Sequence, residues 1–128
     1  MEVAVLEPTN FGTGASKLER MAEADFPGGV VVDPTPITAG QETTVFYNGL
    51  LARSGADQIW LRIGYGSPDN WQNVSDWKMS KTGYGWVKTF EAPVDQDRIN
   101  FCFKDSANNW DNNNGLNWTW TIHNGRIV

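Results

Sequence analysis

The chain has 128 residues, 40% hydrophobic and 20% charged, with a net charge of −5 and an isoelectric point near 4.7. That size suits one domain with one core, and the composition excludes a disordered tail. The ten basic residues are dispersed, which argues against nucleic acid as a partner, and the single cysteine, Cys102, excludes an internal disulfide and a cysteine-rich metal site.

Met1 to Asn10 lack the basic and long apolar regions of a secretory leader, and no stretch reaches the roughly 18 apolar residues of a membrane span. These features and the lone cysteine set the expectation of a cytoplasmic protein, or an extracellular one if the native protein carries a leader or a parent enzyme. Residues 1–29 read as an N-terminal extension, with Glu2, Glu7, Glu19, Glu23 and Asp25 against Lys17 and Arg20. Ser16 and Glu19 fit a capping box, and Leu18, Met21 and Ala22 share one helical face, so a short helix is predicted from about 16 to 24. Phe26-Pro27-Gly28-Gly29 then breaks it.

Residues 30–128 read as a second unit of short strands: Val30 to Val32, Thr43 to Asn48, Gln58 to Gly64, Gly85 to Glu91, Arg98 to Lys104 and Trp118 to Ile122. Turn signals such as Pro34-Thr35-Pro36, Asn48-Gly49, Ser67-Pro68 and Asn114-Gly115 separate them. Short strands at such spacing, without helical periodicity, predict an all-β antiparallel sandwich rather than a parallel α/β sheet. Because successive side chains of a strand point oppositely, Ile59, Leu61 and Ile63 must be core, which puts Trp60 and Arg62 on the other face. Likewise Ile99, Phe101 and Phe103 are core, and Arg98, Asn100, Cys102 and Lys104 share the opposite face. Trp118, Trp120 and Ile122 face inward together.

Two aromatic residues fall in polar loops. Trp71 ends the run Gly64-Tyr65-Gly66-Ser67-Pro68-Asp69-Asn70-Trp71, and Trp110 lies in the segment 105–115 among five asparagines and two aspartates. Each tryptophan is either an anchor at the core edge or a platform for a ligand. A pyranose has an apolar C–H face and a rim of hydroxyls, so an indole plate bordered by amides complements it, and Trp110 beside Asn109, Asn112, Asn113 and Asn114 supplies those parts. The competing reading is that these asparagines form turns, since Asn tolerates left-handed backbone and caps itself locally. A calcium loop is not expected: Gly115 falls fifth from Asp111 where an EF-hand needs Gly sixth, and no Glu stands near residue 122.

Val45-Phe46-Tyr47-Asn48-Gly49-Leu50, then Leu61-Arg62-Ile63-Gly64-Tyr65 with Trp71 and Met79, then Asn100-Phe101-Cys102-Phe103-Lys104-Asp105 and Asn109-Trp110-Asp111-Asn112-Asn113-Asn114-Gly115, form an ordered motif set. From about Val30 to Gly125 the sequence resembles the starch-binding carbohydrate-binding modules of families 25 and 53. The resemblance implies an immunoglobulin-like β-sandwich that binds α-1,4-linked glucose chains across two stacking tryptophans, at the positions of Trp71 and Trp110. A third position, usually histidine in family 25, is Arg62 here; arginine also lies flat on a sugar face and donates through its fork. Lys104 on the same face completes the carbohydrate-binding candidates: Trp71, Trp110, Arg62, Lys104, Asn109, Asn112, Asn113 and Asn114.

The functional expectation is non-catalytic binding of starch, glycogen or maltooligosaccharides, with no cofactor. A glycosidase would need two carboxylates roughly 5 to 9 Å apart at the scissile bond, and Asp69, Asp105 and Asp111, the acids of the two loops, sit in turn contexts. Two alternatives stay open at this level. Exposed aromatics also serve protein interfaces, and residues 1–29 offer a route to a protein partner or to self-association.

Overall fold

A computed structural model describes residues 14–23 and 27–124. In chain order it contains α1 (Gly14–Glu23), a 3₁₀ turn (Pro27–Gly29), β1 (Val30–Asp33), β2 (Ile37–Thr38), β3 (Glu42–Tyr47) and the single helical turn α2 (Leu50–Arg53). There follow β4 (Ile59–Tyr65), β5 (Gln72–Lys78), β6 (Ser80–Lys81), β7 (Trp86–Glu91), β8 (Arg98–Asp105), β9 (Trp110–Asp111) and β10 (Trp118–His123).

The strands make two sheets, one of four strands in the order β1-β3-β7-β6 and one in the order β2-β10-β8-β4-β5, with β9 added on β8. All pairs are antiparallel except β2 with β10, where Ile37 and Thr38 lie beside Ile122 and His123 in parallel. The expected all-β sandwich is the observed architecture, and each of the six predicted strands is present within about two residues, the usual uncertainty of such ends.

Alternation explains the core. Ile59, Leu61 and Ile63 of β4 and Ile99, Phe101 and Phe103 of β8 are fully buried. From the other sheet Val30, Val32, Val45, Tyr47, Trp86 and Phe90 meet them in one cluster. Fully burying one such aliphatic side chain stabilises the fold by roughly 1.5–3 kcal/mol. Phe101 stacks on Trp120 (centroids 5.3 Å, interplanar angle 6°), and Trp118 meets Phe103 edge-on, so both tryptophans of β10 serve the core. Tyr47 stacks on Phe103 at 4.0 Å, and its hydroxyl accepts the Leu51 N–H at 2.9 Å and donates to Asp111 Oδ2 at 2.6 Å. One side chain thus ties α2 and β9 to the end of β3. Burial, with the Asp111 hydrogen bond next, pushes the Tyr47 phenol far above its ordinary range.

Strand β3 is buried on both faces, and the reason is the N-terminal extension. Met21 of α1 is buried, Leu18 and Ala22 are half-buried, and Thr44 and Phe46 are hidden although they point away from the sandwich core. Lys17 Nζ pairs with Asp33 Oδ2 at 3.1 Å and donates to Thr44 Oγ1 at 3.4 Å. The helix begins at Gly14, so Ser16 lies inside it and not at the N-cap position that a capping box requires. The turn that follows needs glycine: a Cβ on Gly29, whose φ is +73°, would meet the Asn48 carbonyl oxygen at 2.6 Å.

Candidate functional site

The face of the larger sheet that points away from the core carries the candidate platform residues. Cross-strand partners present their side chains on the same face, and the register of β5, β4, β8 and β9 sets them out in rows. The first row runs Lys78, Trp60, Lys104, Trp110. The second runs Asp76, Arg62, Cys102, and the third contains Gly64, Asn100 and Thr119. Neighbouring rows are two residues, or roughly 6.7 Å, apart along the strands.

Trp110 reaches this face because the chain turns back on itself after β8. Asp105 Oδ1 accepts the N–H groups of Ala107 and Asn109 at 2.9 and 2.8 Å, and its Oδ2 accepts Asn109 Nδ2 at 3.0 Å. These bonds, the Asn109 side chain first, hold the Asp105 carboxyl below its ordinary range. With Asn108 in the left-handed region (φ +68°), the hairpin sets Trp110 opposite Lys104. Trp110 remains 43% exposed, the largest fraction of any tryptophan among the described residues.

Trp71 arrives by a different route. The register with β5 slips between Ile63 and Tyr65, and the loop then folds through Gly66 (φ +85°) and an Asn70 N–H to Ser67 carbonyl bond of 3.0 Å. The indole Nε1 donates to the Pro68 carbonyl at 2.9 Å, and Asn100 Nδ2 holds the Gly66 carbonyl at 3.0 Å. The ring packs on Gly64 so closely that a Cβ there would lie 2.8 Å from Trp71 Cβ and Cε3. Trp71 is half-buried, so it is anchored along Gly64 and reachable on its remaining surface.

Arg62 stands in the row between the two tryptophans. Its Cζ lies 5.6 Å from the Trp110 ring centroid, and Lys104 Nζ lies 5.6 Å from the same centroid. Both cations converge on Asp76: Arg62 Nη1 donates to Oδ1 and Oδ2 at 3.0 and 3.1 Å, and Lys104 Nζ contacts Oδ2 at 3.1 Å. Asp76 is thus a member of the cluster that sequence reasoning missed, because it lies on the unpredicted strand β5. Cys102, directly opposite Arg62, is buried, and burial pushes its thiol up to about 11. Alternation places it away from the core, on the face that also carries Arg62, Lys104 and Trp110.

The asparagines divide between roles. Asn109 belongs to the Asp105 turn, and Asn112 Oδ1 accepts the Gly115 N–H at 3.0 Å. Asn113 and Asn114 adopt left-handed backbone (φ +57° and +56°), and Asn113 Nδ2 donates to the Asn117 carbonyl at 3.0 Å. Asn113 and Asn114 line a cleft of about 480 Å³ shared with Asp111, Arg53, Leu50 and Met21. Tyr47 draws Asp111 inward, so the chain after Trp110 leads toward α1 and α2, while Trp110, Arg62 and Lys104 remain on the outer sheet face.

Residues 43–101 match a family model described as a starch/carbohydrate-binding module, family 53. An α-amylase of Clostridium acetobutylicum is 35% identical over 88 residues, which cover 68% of this chain and 11% of that protein. The chain therefore spans about a ninth of that relative's length. No solved structure matches.

Proposed function

We propose that the chain binds α-1,4-linked glucans, as starch, glycogen or maltooligosaccharides, without cleaving them, a reading supported by the match of residues 43–101 to the starch/carbohydrate-binding module of family 53. The observation that carries this reading is the placement of Trp71 and Trp110 on one outward sheet face, with Arg62 between their rows. The Gly64 and Lys104 rows that support the two indoles are four residues apart along β8, or roughly 13 Å. A curved glucan seats pyranose faces a few units apart on such plates. The guanidinium of Arg62 supplies a third flat surface, and the donors of Lys104 and Arg62 meet the hydroxyl rim.

Maltoheptaose titration of wild type, Trp71→Ala, Trp110→Ala and the double variant, with thermal melting of each, tests the reading. Each single change should cost ~1–3 kcal/mol of binding, by analogy with base stacking on aromatics, or roughly a tenfold to hundredfold rise in Kd. Trp110→Ala should barely alter melting, whereas Trp71→Ala should also lose its packing on Gly64. Two folded single variants that bind like wild type would remove the site. Reducing ends released from maltoheptaose by repurified protein would remove the non-catalytic reading.

A further inference from the structure

The outward face of the larger sheet is cationic on a chain whose net charge is −5. Among its outward strand residues, Lys78, Arg62, Lys104 and Arg98 are basic, and Asp76 alone is acidic. Two of those cations share that single carboxylate: Arg62 and Lys104 both contact Asp76 at 3.0–3.1 Å, and both lie 5.6 Å from the centre of the Trp110 ring. The cluster beside the exposed indole therefore keeps one uncompensated positive charge. It also keeps donors. Both bonds from Arg62 to Asp76 leave Nη1, so Nε and Nη2 are not used in that pair, and the Lys104 ammonium has three N–H groups for one Asp76 oxygen. Arg62 and Lys104 are 38% and 25% exposed at the side chain, so a ligand on Trp110 reaches them.

A neutral glucan uses these donors only for hydroxyls. A phosphate monoester on a glucose unit offers about two negative charges and three acceptor oxygens, and hydrogen bonds from guanidinium or ammonium to phosphate are roughly twice as strong as neutral ones. The overall negative charge does not cancel this, because charges beyond a Debye length of roughly 8 Å are screened at physiological salt while the Arg62–Lys104 pair acts in contact. We infer that this face selects phosphorylated α-glucan, reading the phosphate monoester with Arg62 and Lys104 while Trp110 and Trp71 hold the sugar. The inference rests on the glucan-binding reading above and names the form of glucan preferred.

The test titrates maltoheptaose and maltoheptaose carrying one 6-phosphate into the whole chain at about 150 mM and about 1 M salt, between which the Debye length falls from roughly 8 Å to roughly 3 Å. The phosphorylated chain should bind about five- to tenfold more tightly at low salt, and the ratio should shrink toward one at high salt. In Lys104→Gln the ratio of the two affinities should fall toward one at low salt as well, a readout independent of any loss in neutral binding. Equal or weaker binding of the phosphorylated ligand, with neutral maltoheptaose bound, overturns the inference and leaves the glucan reading standing. Binding of neither ligand overturns both. Inorganic phosphate that binds as tightly as the phosphorylated oligosaccharide overturns it too, since the gain would then not be carried by the glucan.

Discussion

Gly64 shows how much a single position controls. It stands in mid-strand, where glycine weakens a sheet and marks a close approach, and the approaching group is the Trp71 ring. Gly64→Ala would put a methyl 2.8 Å from Trp71 Cβ and Cε3, so the indole must shift. The expected outcome is a drop in maltoheptaose affinity comparable to Trp71→Ala, with ~1–3 kcal/mol lost in stability from overpacking. Titration and denaturant melts check it; unchanged affinity would show that Trp71 is only an anchor. Cys102 gives a second test on the same face. Its thiol is buried and titrates near 11, so at neutral pH it is protonated and covered, the two conditions that make a thiol inert. The native protein should react slowly with an aromatic disulfide reagent at pH 8, and Trp110→Ala should speed the reaction about tenfold by opening access. An unchanged rate in that folded variant would mean that Trp110 is not part of the cover. A residue-by-residue reading of the sequence placed Arg62, Cys102 and Lys104 on one face correctly, but not the burial of Cys102, because alternation fixes the face of a side chain and not what lies over that face.

At the level of elements, legibility followed burial contrast. Strands β4 and β8 were readable because one face is wholly apolar and the other is not. Strand β5 was not, since it is a sheet edge whose residues 72–78 are all exposed or half-exposed and whose alternation therefore carries almost no hydrophobic signal. Losing β5 meant losing Asp76, and with it the reason Arg62 and Lys104 hold their places. The asparagine-rich segment was legible only as chemistry: five Asn residues fit either a sugar rim or turns, and the hydrogen bonds of Asn109, Asn112 and Asn113 show them making turns. Helix α1 was predicted, but its docking was not, because a short helix with only four apolar positions, two of them alanine beside Leu18 and Met21, gives no sign of which surface it covers. The structure sets it on the outer face of β3, where Met21 is buried and Lys17 pairs with Asp33. Removing residues 1–26 should therefore uncover Phe46 and Thr44 and lower stability by roughly 2–4 kcal/mol, mostly from the apolar area returned to water. A denaturant titration of the shortened chain measures this; an unchanged midpoint would mean that the helix adds no net stability.

Across the whole molecule, the sandwich keeps two outer faces apart. Helix α1 covers one sheet, and the tryptophan face belongs to the other, with the shared core and the roughly 10 Å spacing of packed sheets between them. Perturbations separated by more than about 7–10 Å without shared partners usually add within ~0.3–0.5 kcal/mol. Ligand binding to the folded chain alone stabilises it by about 2.7 kcal/mol at a free concentration one hundred times Kd. The expectation is therefore a closed cycle: maltoheptaose should raise the unfolding free energy of the full chain and of the chain lacking residues 1–26 by the same amount, and the two Kd values should agree within about twofold. Two routes could break the cycle, and each is visible in the structure. Asp111 links the core side of β9 to Tyr47, and Trp110 precedes it in the same two-residue strand, so a shift at the α1 end of the cleft could travel through Asp111 to the indole. Lys17 likewise fastens α1 to β1 through Asp33 and to β3 through Thr44, but that contact stays within the smaller sheet. If the shortened chain binds more weakly, Tyr47→Phe separates the routes: it removes the hydroxyl that holds Asp111 and leaves α1 in place. A Tyr47→Phe chain that reproduces the loss assigns the coupling to the Tyr47–Asp111 bond, whereas one that binds normally leaves the helix acting through the sheet itself. Equal stabilisation in both chains would establish that glucan affinity is a property of the sandwich alone, with α1 contributing to stability but not to binding.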